Sequence, residues 1–433
     1  METQSKIRMV VVGGGFGGLE TALYARHRLA EQADVLLVSD RTSLVFKPYM
    51  LYVPFGMDQD EMQIDLSELA QSTGFQLLEG RAETLRPGRK TIQVGERALA
   101  YDFLILATGT TLVPAEIPGM QDHALTVGHM ADMLRLRQKI QQFQQEVEDG
   151  QRRRIVFVVP PSCSWAGPLY ELAFMLDSWL QERGLRTGVD LTFLTPEATY
   201  MAVFGQRLHE VIQQEFQRRN ITAYPEHEVR QIDAEGLTCQ DGERLLYNLL
   251  IAAPLQVAST SWDPLPTDVR GFLRTELETR QVTGYPDIYA VGDGADFPVK
   301  QAFLALLQAD AAAEHMAARV FEMEPAFAFT PSSSWLMDQL DQAIFARTSL
   351  SERGEAEGAA EDQLDRSHAD RLPAGQLQRM LLSAHLPRPF GASNPLYTGL
   401  FWKGTQVGLK MLSSLAQDFF EAGFSGKEKQ SRR

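Results

Sequence analysis

An α/β fold built from two doubly wound units and a C-terminal α-rich extension is predicted by three observations. A short apolar strand at Met9–Val12 runs straight into a glycine-rich turn and a helix, a second strand–helix alternation opens at Ile155, and a strand, loop and helix over 285–320 return to the first pattern. The 433 residues exceed what one hydrophobic core organises, which fits two or three units.

Taken in order, Met9–Val12 is followed by GGGFGG and by LETALYARHRL, whose Leu19, Ala22, Leu23 and Leu29 suit a helix face. The next apolar run, Val35–Val38, completes a βαβ start, and Tyr101–Ala107 is a further buried strand ended by Thr108 and Gly109. This gives a first unit over 1–120. A Gln- and Arg-rich helical connection fills 121–150, and a second unit spans 151–262. IYAVGD and the alanine-rich helix QAFLALLQADAAAEHMAARV place 263–325 back in the first unit. The remainder, 326–433, holds a polar insertion at 347–376 that is expected to lack a core and to stay mobile. Near the C-terminus, Leu409, Leu412, Leu415, Phe419 and Phe420 fall near helical spacing. From residue 399 onward six Lys and Arg stand against three Asp and Glu. That local basic excess suits either a membrane-surface helix or a helix pair covering the core.

Bulk composition narrows the function. A net charge of -15 opposes nucleic acid as a partner. Two cysteines, Cys163 and Cys239, are too few for a disulfide framework or a four-thiolate metal site, and no HExxH or CxxC occurs, so no metal is expected. With no run of about 20 apolar residues, the expectation is a cytoplasmic protein, soluble or attached to the inner face of the cell membrane.

Gly13, Gly15 and Gly18 satisfy GxGxxG between a strand and a helix, the context in which the motif holds a dinucleotide. The first allows the tight turn, the second lets backbone approach a pyrophosphate at the helix N-terminus, and the third permits close helix–sheet packing. Both units are therefore Rossmann-like in pattern. At the end of the second strand Ser39 and Asp40 are the candidates for a ribose hydroxyl contact. The corresponding turn of the second unit reads VVPPSCSWAGPLYE, where two prolines stand in place of glycines and remove N–H donors, which disfavours nicotinamide-dinucleotide binding there.

Those glycines alone do not separate FAD from NAD. ATG at 107–109 and IYAVGDGAD resemble the second and third segments of the two-dinucleotide flavoprotein (pyridine nucleotide-disulfide oxidoreductase) superfamily, which implies FAD. The resemblance gives Thr108, Gly109, Gly292 and Asp293 to the cofactor, with Asp293 on its ribityl chain and phosphate, and Ala82 joins the same set. More specifically, PPSCSWAGPLYELAFMLDSWLQERG, VLLVSD and the run from Asn394 to Phe420 resemble the sulfide:quinone oxidoreductases. That family passes electrons from sulfide through cysteine sulfur and FAD to a quinone, which here assigns Cys163 as the redox cysteine. Glu171 is either a proton-transfer group or a first-turn carboxylate favoured by the helix dipole. No cysteine stands near Leu125 or after Asp293, where the family's partners belong, so a dithiol relay lacks its second sulfur. Cys163 alone remains a candidate nucleophile if the helix start beyond it lowers its pKa; an inert packed thiol is the alternative. FKPYMLYVPFG is similar to the type II NADH:quinone oxidoreductases, which assigns Lys47 and Pro48 to the flavin border. Lys300 and Gln301, in VKQA, match the segment at the flavin's pyrimidine edge, where a cation stabilises the reduced ring.

The resulting expectation is an FAD-dependent oxidoreductase that takes electrons from a small-molecule donor to a quinone. A peripheral membrane contact through the C-terminal segment and a homodimer are entertained. Two alternatives stay open: an NAD(P)H:quinone oxidoreductase, and a flavin-binding sensor or subunit with no turnover.

Overall fold

The computed structural model describes residues 6–356 and 368–373. Its first unit contains β1 (Ile7–Val12), α1 (Phe16–Leu29), β2 (Ala33–Ser39), β3 (Gln76–Glu79) and β4 (Phe103–Leu106). A short β5 (Thr110–Val113) leads out to β6 (Ala124–Thr126), α2 (Met130–Glu148), β7 (Arg153–Val158), α3 (Gly167–Glu182), β8 (Val189–Leu194), α4 (Gln206–Arg218), β9 (Thr222–Tyr224) and β10 (Leu249–Ala252). The chain then returns through β11 (Leu255–Ala258), β12 (Gln281–Val282), β13 (Tyr285–Ala290) and α5 (Ala302–Val320). It closes with β14 (Ser332–Asp338), β15 (Gln342–Ser349) and β16 (His368–Pro373).

The first sheet has the order β12-β13-β4-β1-β2-β3, and β1 pairs in parallel with β2 (Met9 opposite Val35) and β4 (Met9 opposite Phe103). Because both faces are covered, its central strands read as continuous apolar runs rather than as alternation. Met9, Val11, Leu37 and Ile105 point into one buried layer, and Val10, Val12, Leu104 and Ala290 into the other. Alanines do the close packing: Ala22 and Ala25 of α1 meet Ala312, Ala313 and Ala317 of α5 in one core.

The second sheet, β6-β10-β7-β8-β9, is parallel throughout. Between the two sheets β5 and β11 form an antiparallel ribbon, Thr110 opposite Ala258 and Val113 opposite Leu255. Helix α3 is buried along almost its whole length and supplies the centre of the largest core with Leu169, Tyr170, Phe174 and Leu176.

Where the C-terminal region is described, β14, β15 and β16 make an antiparallel sheet. The supposed mobile insertion at 347–376 is thereby corrected in two places. Residues 347–349 continue β15, and 368–373 form β16 against it, with Arg347 opposite His368. The polar composition masks this because the anchoring residues, buried Ala343, Ile344 and Ala346, lie just upstream of the polar run. The run from Asn394 to Phe420 falls outside the described residues.

Candidate functional site

A cleft of about 700 Å³ opens where the C-terminal ends of the first sheet's strands meet α3, the 3-10 segment Lys47–Phe55 and β14. This is the crevice that open α/β sheets use for ligands. Gly13 holds φ 115 in the turn after β1, and a Cβ there would stand 2.3 Å from the Ala107 carbonyl oxygen. Gly18 lies behind the cleft; a Cβ on it would be 1.8 Å from the carbonyl oxygen of Gly13, so only glycine lets α1 seat against the turn. Gly15, by contrast, faces open space.

The structure gathers most of the candidate residues on this one surface. Gly13, Gly15, Ser39, Asp40, Lys47, Pro48, Ala82, Thr108, Gly109, Gly292, Asp293, Lys300, Gln301 and Glu171 all line it, whereas Gly18 and Cys163 do not. The Ser39 hydroxyl donates to the Arg41 carbonyl at 2.7 Å and is spent on its own turn. Asp40 keeps an exposed carboxylate whose neighbour is Arg41 at 3.8 Å.

Asp293 follows Gly292 in a short 3-10 turn at the end of β13. Burial raises its carboxyl above the usual range, opposed by the charges of Lys300 and Lys47. Lys300 is 4% exposed, donates from Nζ to the Ala295 carbonyl at 2.5 Å, and sits 3.7 Å from the centroid of the Phe272 ring. Burial pulls it down to about 8, against the attraction of Asp293 and Asp296. Gln301 caps α5 and accepts from the Ser333 hydroxyl at 2.6 Å, so β14 touches the same wall.

Glu171 opens the second turn of α3, past the first-turn position the sequence suggested, and is buried on the cleft wall. Burial pushes it up to about 8, and the Asp338 charge acts in the same direction; the Asp338 N–H, 3.1 Å from Oε1, and the Trp335 side chain oppose them. Of the two readings of Cys163, its surroundings match the packed thiol. Burial, aided by Glu197, pushes the thiol up to about 12, and its Sγ lies 3.7 Å from the Pro254 carbonyl. Helix α3 begins only at Gly167, and Trp165 intervenes: a Cβ on Gly167 would be 2.5 Å from the indole. Cys239 is buried in the strand before a hairpin and is likewise pushed up, to about 11.

Sequence reasoning missed several residues that the fold brings to the cleft. Thr110 Oγ1 and Gln256 Oε1, on the β5–β11 ribbon, line it, and among the described residues they are buried without a hydrogen-bond partner. Buried polar atoms of this kind point to a polar ligand that completes them. Trp165 and Trp335, packed edge to face at 5.3 Å, form an aromatic wall that no spacing rule signals. The fold also brings a ligand atom of half-buried His227 to within 4.8 Å of carboxylate oxygens of exposed Asp241 and Glu243, too far apart in sequence to form a metal motif.

A glycine cradle at a helix start, a buried acid at the end of a late strand, and two orphaned polar atoms between them define a dinucleotide-binding protein with two Rossmann-like units. The chain belongs to the pyridine nucleotide-disulphide oxidoreductase family, which matches residues 7–315, and FAD is the cofactor of this flavoenzyme family. The cleft residues fit that group: open backbone at Gly15, unsatisfied polar atoms on the ribbon, and lysines near Asp293. The sulfide-quinone reductase of Aquifex aeolicus is 30% identical over 244 residues, 54% of either chain. The alternative NAD(P)H-ubiquinone oxidoreductase C1 of Arabidopsis thaliana is 28% identical over 330 residues, 66% of this chain and 61% of that protein. The sequence matches thus span little more than half the length of these two relatives. The X-ray structure of the Aquifex aeolicus sulfide:quinone oxidoreductase superposes with a TM-score of 0.75 at 21% identity, covering 87% of this chain and 89% of that one, a likeness of fold.

Proposed function

We propose that the protein is an FAD-dependent quinone reductase, built like the sulfide:quinone oxidoreductases, that passes two electrons from a small-molecule donor to a quinone. The observation that carries this reading is Glu171, a carboxyl buried on the wall of the cleft that contains the flavin cradle and pushed up by that burial to about 8. Reducing a quinone to a quinol takes up two electrons and two protons. FAD, when bound, would supply the electron pair together with one of the two hydrogens, and the chain has to supply the remaining proton.

Glu171 holds a proton at its carboxyl oxygen and gives it to the quinone oxygen as negative charge develops there. The Asp338 N–H then steadies the carboxylate left behind. Phe46, Leu169, Trp165 and Trp335 give the same cleft an apolar, aromatic wall suited to a flat ring. Lys300, fixed by Ala295 and Phe272, places positive charge where a reduced cofactor gains negative charge. Lys47, Pro48 and Gln301 border the same space, and Asp40 is left to meet a ribose hydroxyl.

The donor is the open part. A type II NAD(P)H reading draws support from the Arabidopsis relative and from the Lys47–Phe55 segment. It is opposed by Pro160 and Pro161 and by Trp165, whose indole covers the N-terminus of α3 where a pyrophosphate would seek free N–H groups. Sulfide oxidation through Cys163 is opposed by the raised thiol and by the lack of a second cysteine beside it. A donor that reacts with the flavin directly fits both objections. No helix among the described residues is long and apolar enough to cross a membrane, and contact with a membrane surface is assigned to the C-terminal segment by resemblance alone.

The test is a stopped-flow panel on the FAD-loaded protein. NADH, NADPH, sulfide and small thiols are scored by loss of flavin absorbance, and dithionite-reduced protein is mixed with ubiquinone and menaquinone analogues. Rapid return of the oxidised spectrum with a quinone is expected. Reoxidation no faster than by buffer alone, with every quinone, would remove quinone reduction and leave the flavin-binding subunit without turnover.

A further inference from the structure

Glu171 is not held by the cleft alone. Two turns further along α3, on the same face, stands Ser178 with Asp177 beside it. Both belong to a buried cluster around Arg219, just past α4, whose side chain is 1% exposed. Arg219 Nη1 donates to Asp177 Oδ2 at 2.9 Å and to Ser178 Oγ at 2.7 Å, and Nε to Glu215 Oε2 at 3.2 Å. Its Nη2 reaches across to the turn between β14 and β15, meeting Gln339 Oε1 at 2.9 Å and Asp341 Oδ1 at 2.7 Å. Arg186 and Arg218 pair with Asp177 and Glu215, so three acids face three guanidinium groups and no buried charge in the cluster is left unmatched.

The turn so gripped is stiff. Gln339 N–H donates to the Gln342 carbonyl at 2.8 Å, Leu340 N–H to Asp338 Oδ1 at 2.8 Å, and the Tyr52 hydroxyl to Asp338 Oδ2. One residue before the grip, the Asp338 N–H donates to Glu171. An arginine at the far side of α3 and a carboxyl in the cleft are thus joined through a single β-turn.

We propose that Arg219, Gln339 and Asp341 are positioning residues for Glu171, acting through the β14–β15 turn to hold the Asp338 N–H against its carboxylate. The inference rests on the reading of Glu171 as the proton donor in quinone reduction. Around Glu171 the Asp338 carboxylate favours the protonated form, the Asp338 N–H and Trp335 favour the ionised one, and Lys47, Asp293 and Lys300 line the same cleft. Loosening the turn withdraws the N–H and leaves the carboxylate less stabilised, so protonation persists to higher pH.

The experiment is an infrared titration of the FAD-loaded protein, following the protonated-carboxyl C=O band that disappears in Glu171→Gln, alongside the pH profile of quinone reduction. Gln339→Ala and Asp341→Asn, which leave Arg219 in place, are expected to raise the band's midpoint from near 8 by about one pH unit. The alkaline limb of kcat should move with it, while quinone KM and flavin content stay at wild-type values. Asp341→Glu, which keeps the carboxylate charge that Asp341→Asn removes, should leave the midpoint at its wild-type value. Arg219→Met should shift the band at least as far; should it not fold, Gln339→Ala decides. A folded, flavin-replete Gln339→Ala with an unmoved band overturns the positioning role. A band that shifts as expected in a protein whose quinone reduction ignores Glu171→Gln upholds the positioning but overturns the proton-donor reading, so the two failures are distinct.

Discussion

Replacing Glu171 with glutamine is expected to stabilise the protein while it disables it. The carboxyl ionises at about 8 in the folded chain, against 4.5 for an ordinary glutamate. Its folded value is raised, so the stability it allows is fully present below the unfolded pKa and is lost as pH rises through the folded one. Each pH unit in that window corresponds to ~1.4 kcal/mol, which gives roughly 3 kcal/mol at pH 7 and roughly 5 kcal/mol above pH 8. The substituted amide still accepts from the Asp338 N–H, but its own N–H groups need partners and take back about 1–2 kcal/mol. A net gain of roughly 2 kcal/mol at neutral pH follows, about 2 °C in Tm for a chain of this length. The assay compares thermal unfolding of the two FAD-loaded proteins at pH 5, 7 and 9. The variant's advantage should be near zero or negative at pH 5 and greatest at pH 9, while quinone reduction at pH 7 falls by about 10²-fold. An advantage that is the same at all three pH values would show that Glu171 is not a perturbed buried acid, and the proton-transfer argument would go with it.

Gly18→Ala drives a Cβ to within 1.8 Å of the Gly13 carbonyl oxygen, so flavin absorbance per protein should drop sharply and Tm with it, by about 2–3 kcal/mol of overpacking. Lys300→Met should lower the flavin midpoint potential by about 30 mV or more, which for two electrons is ~1.4 kcal/mol; because Lys300 loses its proton near 8, the gap between variant and wild type should close above that pH. Cys163→Ala should leave flavin reduction by every donor at the wild-type rate, as read by stopped flow, since a thiol pushed up to about 12 is almost wholly protonated at pH 7. Glu20 on α1 and Asp310 on α5 share a buried contact that, with burial itself, raises Glu20 well above the usual range, so Glu20→Gln should flatten the decline of Tm between pH 5 and 9; an unaltered slope counts against that pair.

How much of this is legible in the sequence depends on the kind of signal. The βαβ start is readable because Met9–Val12 and Val35–Val38 are buried on both faces and give nearly unbroken apolar runs, and because Gly13 and Gly18 answer to backbone geometry that no other residue meets. The return of 285–320 to the first sheet is readable from IYAVGD, which ends β13 beside β4. The β14–β15–β16 sheet is not, since the alternating apolar residues that seat it on the core, Trp335 and Met337 on β14 and Ile344 and Ala346 on β15, are few and set among Ser, Gln, Arg and Thr. Thr110, Gln256 and Trp335 matter only through tertiary placement, from a ribbon and a strand that come from distant parts of the chain. The sequence leaves Cys163 open between nucleophile and packed thiol because proximity to a helix start does not set where a side chain points; its thiol lies against the Pro254 carbonyl.

The order of strands in the first sheet bears on how the molecule is made. Strand β4 has β1 on one side and β13 on the other, and those two neighbours are separated by more than 270 residues of chain. During synthesis the inserted unit, contiguous from β6 to β10, can complete its own sheet while β4 still exposes an unpaired edge. The nascent cofactor-binding half therefore waits on the ribosome with an open template for mispairing, a hazard that chaperones or early capture of the nucleotide would have to contain.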